Sequence, residues 1–113
     1  MLLHDRQIAF TKNVGLLIAF IYSKNCSATF GDAFRSPEQA ALNAAAGKGI
    51  AKSLHCERLA IDLNLFDDAG IYVTDKASYE PFGIYWESLS PHNVWGGRFV
   101  HLVDSNHFEM SPN

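Results

Sequence analysis

Ser53-Leu54-His55-Cys56-Glu57-Arg58-Leu59-Ala60-Ile61-Asp62-Leu63-Asn64-Leu65-Phe66 is the stretch whose pattern settles the architecture. From Leu59 onward the side chains alternate, with Leu59, Ile61, Leu63 and Leu65 on one face and Ala60, Asp62 and Asn64 on the other. A period of two is that of a half-buried strand. His55 stands seven residues before Asp62, so one continuous strand would place the two on opposite faces. A bend at Cys56-Glu57-Arg58 is therefore expected, turning His55 back toward Asp62.

Upstream of this strand, Leu3, Ile8, Phe10, Val14, Leu17, Ile18 and Ile21 recur at mostly three- and four-residue steps. That is the period of an amphipathic helix over roughly the first two dozen residues, ended by Lys24, Asn25 and Cys26. Ser27 to Phe34 reads as a short strand around Gly31. Ser36-Pro37-Glu38-Gln39 is a helix start, with Ser36 as N-cap and Pro37 in the first helical position. Ala40 to Ala46 propagates that helix and Gly47 stops it, opening a loop through Lys48 and Gly49 to His55.

Downstream, Asp67-Asp68-Ala69-Gly70 is a turn. Phe82, Tyr85, Trp86 and Leu89 give a helix from Pro81 to Leu89, closed by Ser90-Pro91. Trp95-Gly96-Gly97-Arg98 leads into a strand-like Phe99 to Val103. Helices early and short strands late predict an α+β fold: one small domain over residues 1–113, with helices packed on a short antiparallel sheet.

Composition narrows the function. The 113 residues suit one compact domain, and the 48% apolar and 19% charged fractions are ordinary for a soluble globular protein. A net charge of −3 provides no basic field for a phosphate backbone, so nucleic acid is not an expected partner. Cys26 and Cys56 lack CxxC spacing, which removes zinc-ribbon and redox motifs and leaves two free thiols as the plainer reading. The most apolar run, Val14 to Tyr22, is shorter than the roughly 20 residues that span a bilayer. It is read as helix rather than as a signal-peptide core, because Asp5 interrupts the basic charge ahead of it.

Two clusters carry chemistry: Ser53-x-His55 with Asp62, and Asp104-x-x-His107-Phe108-Glu109. A catalytic zinc site takes three His or carboxylate ligands and leaves the fourth position open. His55, Asp62 and His107 supply that set, and Asp104 is left over, three residues before a ligand. A spare carboxylate there can take a proton from water and pass it to a leaving amine. Arg35, at a strand-to-helix corner, is the candidate for stabilising an oxyanion. Arg98 is a candidate for a substrate carboxylate through its bidentate fork.

The pattern Ser53-Leu54-His55, Ala60-Ile61-Asp62-Leu63, Trp95-Gly96-Gly97 and Asp104-Ser105-Asn106-His107-Phe108-Glu109 resembles the D-alanyl-D-alanine carboxypeptidase family of zinc peptidases. That family includes D-alanyl-D-alanine dipeptidases and the L-alanyl-D-glutamate peptidases used as phage endolysins. The resemblance runs from Arg35 to Glu109 and implies a hedgehog/D-Ala-D-Ala-peptidase-like fold. It implies His55, Asp62 and His107 as zinc ligands, Asp104 as the catalytic carboxylate, Arg35 as the transition-state arginine and Ser53 as a substrate or loop hydrogen-bonder. This chain departs from the pattern at Arg58, where many members carry Gly. The dipeptidase branch has Glu where Asp104 stands, which leans toward the endolysin-like branch.

Several residues keep two readings. Trp95, beside two glycines, is either a substrate-contacting cleft wall or core packing. Ser53 binds substrate or orders its loop, and Glu109 orients a ligand histidine or is a surface acid. His4, His92 and His101 have no carboxylate at motif spacing and read as ordinary histidines. The resulting expectation is a monomeric, zinc-dependent endopeptidase that cuts the L-alanyl-D-glutamate bond of the peptidoglycan stem peptide, as a phage or prophage endolysin. It would accumulate in the host cytoplasm before reaching the wall. A D-alanyl-D-alanine carboxypeptidase and a non-catalytic zinc-containing wall-binding module are the alternatives.

Overall fold

A computed structural model describes residues 2–47 and 53–112; the expected loop through Lys48 and Gly49 lies largely outside them. In chain order the elements are α1 (Leu3–Ser23), β1 (Ser27–Phe30), α2 (Pro37–Ala45), a 3-10 turn (Leu54–Glu57), β2 (Ala60–Phe66), β3 (Tyr72–Val73), α3 (Lys76–Ser88), β4 (Asn93–Trp95), a second 3-10 turn (Gly96–Arg98) and β5 (His107–Met110). The strands form one antiparallel sheet in the order β1-β2-β5-β4, with the short β3 beside β2. The expected α+β architecture is what the chain adopts.

Alternation along β2 sorts the molecule into two sides. Leu59, Ile61, Leu63 and Leu65 are all buried, and they pack against Phe10, Val14, Leu17 and Ile21 of α1 and Tyr79, Phe82 and Trp86 of α3. Fully burying each aliphatic or aromatic side chain contributes about 1.5–3 kcal/mol, so this face fixes the strand's orientation. Asp62 and Asn64 are left on the opposite face, away from both long helices. In the core, the Tyr79 hydroxyl accepts from Leu65 N at 2.9 Å and donates to Leu63 O at 3.2 Å. It thereby satisfies β2 backbone groups where neighbouring strands give way to one another.

Local chemistry explains most boundaries. Ser36 Oγ accepts from Gln39 N at 3.0 Å with Pro37 in the first turn of α2, as its sequence predicts. The helix end also holds, with Gly47 in the left-handed region at φ 74°.

Four expectations are corrected. Leu3 and Ile8 belong to the periodic stripe of α1 yet are 41% and 66% exposed; burial begins only at Phe10, where the helix meets the core. The first strand stops at Phe30, four residues short of the expected end. The third helix starts at Lys76 rather than Pro81, because Asp75 accepts from Ser78 N at 3.1 Å and caps it there. Pro81 is accommodated inside this helix, whose Tyr79, Phe82 and Trp86 are anchored in the core. Finally, Phe99 to Val103 is a loop and not a strand. The N–H groups of both Phe99 and Asp104 donate to Gly96 O, at 3.2 and 3.0 Å, and fold the segment back on itself. Among the described residues no helix is long and apolar enough to cross a membrane.

Trp95 is fully buried, and its indole is held between two glycines. A methyl group added at Gly83 of α3 or at Gly97 would come within 2.2 Å of the ring. The indole N–H donates to Ser105 O at 2.7 Å, tying the end of β4 to the segment before β5. In an unconstrained helix Gly→Ala would stabilise by about 1 kcal/mol. At Gly83 the rigid ring has no room to yield, and overpacking of this kind costs about 1–3 kcal/mol or more. Gly83→Ala is therefore expected to destabilise the protein by about 2 kcal/mol in urea unfolding. A gain in stability would show that the ring can move aside.

Candidate metal centre

The site is built on the polar face of the sheet by strand register. Asp62 of β2 and His107 of β5 are direct cross-strand partners, flanked by the core pair Ile61 and Phe108. Cross-strand partners hold their Cβ atoms about 4.5–5.5 Å apart, which brings a carboxylate and an imidazole together without any loop. Glu109 lies two residues beyond His107 on the same face.

His55 enters from outside the sheet. Its 3-10 turn is capped by Ser53, whose Oγ accepts from His55 N at 3.1 Å. The turn ends at Arg58 in the left-handed conformation, φ 57° and ψ 36°, which reverses the chain into β2. This is the bend that the spacing of His55 and Asp62 demands. A left-handed non-glycine residue is strained, and Arg58 has its guanidinium 4.1 Å from the ring centroid of Phe34.

The donor atoms converge. Asp62 Oδ1 lies 3.1 Å from His107 Nδ1 and 3.3 Å from His55 Nε2. One donor atom from each of the three residues falls within 4.8 Å of the others. A tetrahedral ion with bonds of about 2.0–2.1 Å separates its ligands by about 3.3 Å, so the spacing fits one divalent ion.

The remaining ring nitrogens sharpen this fit. His55 Nδ1 faces Ala33 O at 3.3 Å, and His107 Nε2 faces Glu109 Oε1 at 2.7 Å. Both contacts offer only acceptors, so both nitrogens carry hydrogen. In the neutral rings, His55 Nε2 and His107 Nδ1 then turn lone pairs toward an anionic oxygen. Lone pairs facing an anionic oxygen in a buried pocket are unfavourable unless a cation, either a metal ion or a ring proton, lies between them. The carbonyl and Glu109 thus fix which nitrogen of each ring is free.

Titration reflects the same crowding. For His107, burial disfavours charge, but the hydrogen bonds and charges of Asp62 and Glu109 outweigh it and raise the pKa from 6.5 to about 9. For Asp62, burial is likewise outweighed, by hydrogen bonds and charge from His107 and His55, and the pKa falls to about 2. A proton on His107 takes the cation's place when no ion is bound.

Asp104 stands at the edge of this cluster, its Oδ2 3.9 Å from His107 Nδ1, and it is half exposed. Burial, then the charge of Asp62, raise its pKa above the usual carboxylate value, against the opposing charges of His107, His55 and Arg35. Its position is set by Gly96, where an added methyl would lie 2.2 Å from Asp104 O and 2.8 Å from His107 Cβ. Arg35 is held by Asp32, with Nη2 to Oδ2 at 2.7 Å, and its backbone N–H donates to His55 O at 3.2 Å. His55, Asp62, His107, Asp104 and Arg35 share one cleft of about 610 Å³.

Ser53 also borders the cleft, but its hydroxyl oxygen is engaged in capping. Trp95 and Arg98 fall elsewhere. Trp95 is fully enclosed in the core and presents no surface to a substrate. Arg98 pairs with Glu87, whose other oxygen accepts from Trp95 N, so it braces α3 against β4 outside the cleft. Asp32, the support for Arg35, escaped the sequence reading, although its three-residue spacing from Arg35 was a usable signal.

The His107 proton makes ion uptake pH-dependent in a definite direction. Below about pH 9 the ion must displace that proton, whereas Asp62 is already ionised. Titrating zinc into metal-free protein should release about one proton near neutrality, with affinity rising with pH and levelling above about 9. Calorimetry in buffers of differing ionisation enthalpy measures this, and a pH-independent affinity would contradict it. His55→Ala should lose the ion, which metal analysis of the purified variant would reveal.

No curated protein sequence matches the chain. Among solved structures, the fold superposes on the L-Ala D-Glu endopeptidase ChiX of Serratia marcescens with a TM-score of 0.74 at 18% identity, covering 90% of this chain and 77% of that one. Residues 46–110, which include β2, β5 and the three donor residues, match the family model described as D-alanyl-D-alanine carboxypeptidase. The chain belongs to the D-alanyl-D-alanine carboxypeptidase family.

Proposed function

We propose that this protein is a zinc-dependent peptidase of the bacterial wall that hydrolyses the L-alanyl-D-glutamate bond of peptidoglycan stem peptides, in the manner of a phage or prophage endolysin. The observation that carries the reading is the arrangement of His55, Asp62 and His107, whose free donor atoms face one another beside an unused carboxylate. Family membership supports peptide-bond chemistry. The likeness in fold to an L-Ala D-Glu endopeptidase favours that bond over the terminal D-alanyl-D-alanine bond. On this reading the enzyme acts on the wall after release from the host cytoplasm.

Zinc, held by His55, Asp62 and His107, would supply Lewis acidity and make water acidic near neutral pH. The chain's own groups do the rest. Asp104, beside the donor cluster and open to the cleft, accepts a proton from the attacking water and delivers it to the departing amine. Its raised pKa keeps the two transfers closer in energy than an ordinary surface carboxylate would. Arg35, fixed by Asp32, offers its guanidinium to the oxygen on which negative charge develops. Glu109 keeps the His107 ring in its working orientation through the 2.7 Å contact.

Digestion of purified wall peptides, followed by mass spectrometry of the new termini, tests the assignment. New D-glutamate amino ends are expected; release of free D-alanine would instead identify a carboxypeptidase. Asp104→Ala should lower hydrolysis by about 10²–10⁴-fold while one equivalent of zinc stays bound, because Asp104 contributes no donor to the cluster. Lysis at the wild-type rate in that variant would remove Asp104 as the base. Wall binding with no hydrolysis in the wild type would favour a binding module.

A further inference from the structure

The loop between the second 3-10 turn and Asp104 combines two features that stability does not explain. Val100, Leu102 and Val103 are 88%, 80% and 54% exposed, an aliphatic cluster that the described residues leave largely open. Leu102 also has φ 54°, the left-handed region that a branched aliphatic residue rarely adopts. A strained backbone and an unburied leucine both count against folding, and among the described residues no packing of Leu102 offsets them. Leu102 and Val103 border the same cleft as the donor cluster, and they immediately precede Asp104 in the chain. The loop is held at its base, where the N–H groups of Phe99 and Asp104 share Gly96 O and the Phe99 ring lies 5.7 Å from that of His107.

We propose that Leu102, with Val103, forms an apolar wall of the substrate cleft that receives the alanine side chain beside the scissile bond. This inference rests on the peptidase reading above. Leu102 and Val103 line the cleft that a peptide enters when its carbonyl reaches the donor cluster and its amine reaches Asp104. The left-handed turn at Leu102 then holds an aliphatic surface toward the cleft, where it takes a methyl group from water and narrows solvent access to the reacting bond.

Leu102→Asn tests this, since asparagine tolerates the left-handed backbone but removes the aliphatic surface. With a synthetic peptide containing the L-alanyl-D-glutamate bond, KM should rise at least about four-fold, the factor for one CH₂ group withdrawn from water. Zinc content should be unchanged, kcat should stay within about two-fold, and the melting temperature should not fall. Leu102→Met should keep KM near the wild-type value. A KM for Leu102→Asn indistinguishable from wild type would overturn the inference while leaving the peptidase reading intact. If the wild-type protein cleaves no such peptide, binding decides the matter separately. Peptide affinity of Asp104→Ala is then compared with that of Asp104→Ala carrying Leu102→Asn. A loss of about four-fold supports the apolar wall, whereas equal affinities, or no binding by either, overturn it.

Discussion

The register between β2 and β5 is the constraint on which the rest of the molecule depends. Asp62 faces His107 because Ile61 faces Phe108 and both of those side chains are buried. A slip by one residue would carry the donors into the core and the apolar pair into water. Each fully buried side chain contributes about 1.5–3 kcal/mol, so the hydrophobic face enforces the geometry of the polar one. The donors are thus positioned by groups that never touch the site. The α1 and α3 helices serve the same end from the far side, where Trp86 donates to Glu109 O at 3.0 Å and steadies β5 directly.

The remaining parts of the site arrive on connections that converge on this face. His55 comes from a capped 3-10 turn, Arg35 from the segment between β1 and α2, and Asp104 from the loop leading into β5. These connections are knitted to one another by backbone bonds, including Arg35 N to His55 O and Asp62 N to Asp32 O at 2.9 Å. A rigid sheet therefore supplies two donors, and cross-linked loops supply the groups that act on the substrate. Such a division matches the general preference for functional residues on loops held by a scaffold.

Much of this was legible in the sequence, for identifiable reasons. The alternation from Leu59 to Leu65, the cap at Ser36 and the odd spacing from His55 to Asp62 each state a local rule that tertiary structure obeys. Local rules failed where two of them competed. Pro81 looked like a helix start, but the Asp75 cap lay six residues earlier and the core contacts of Tyr79 favoured the longer helix. Phe99 to Val103 has β-prone composition, yet the N–H groups of Phe99 and of Asp104, just past the segment, both bond to Gly96 O and curl it into a loop. Trp95 was ambiguous because glycines admit either a ligand or a neighbouring ring. Here the ring is Trp95 itself, clamped by Gly83 from a helix distant in sequence. Long-range contacts of that sort leave no periodic trace.

Peptidase chemistry at this site requires that two imidazoles and one aspartate share an ion. X-ray absorption at the zinc edge of the metal-loaded protein measures that shell directly. The structure predicts two imidazole nitrogens with only oxygen besides, all at about 2.0–2.2 Å. A sulfur neighbour at about 2.3 Å, or a single imidazole, would contradict it.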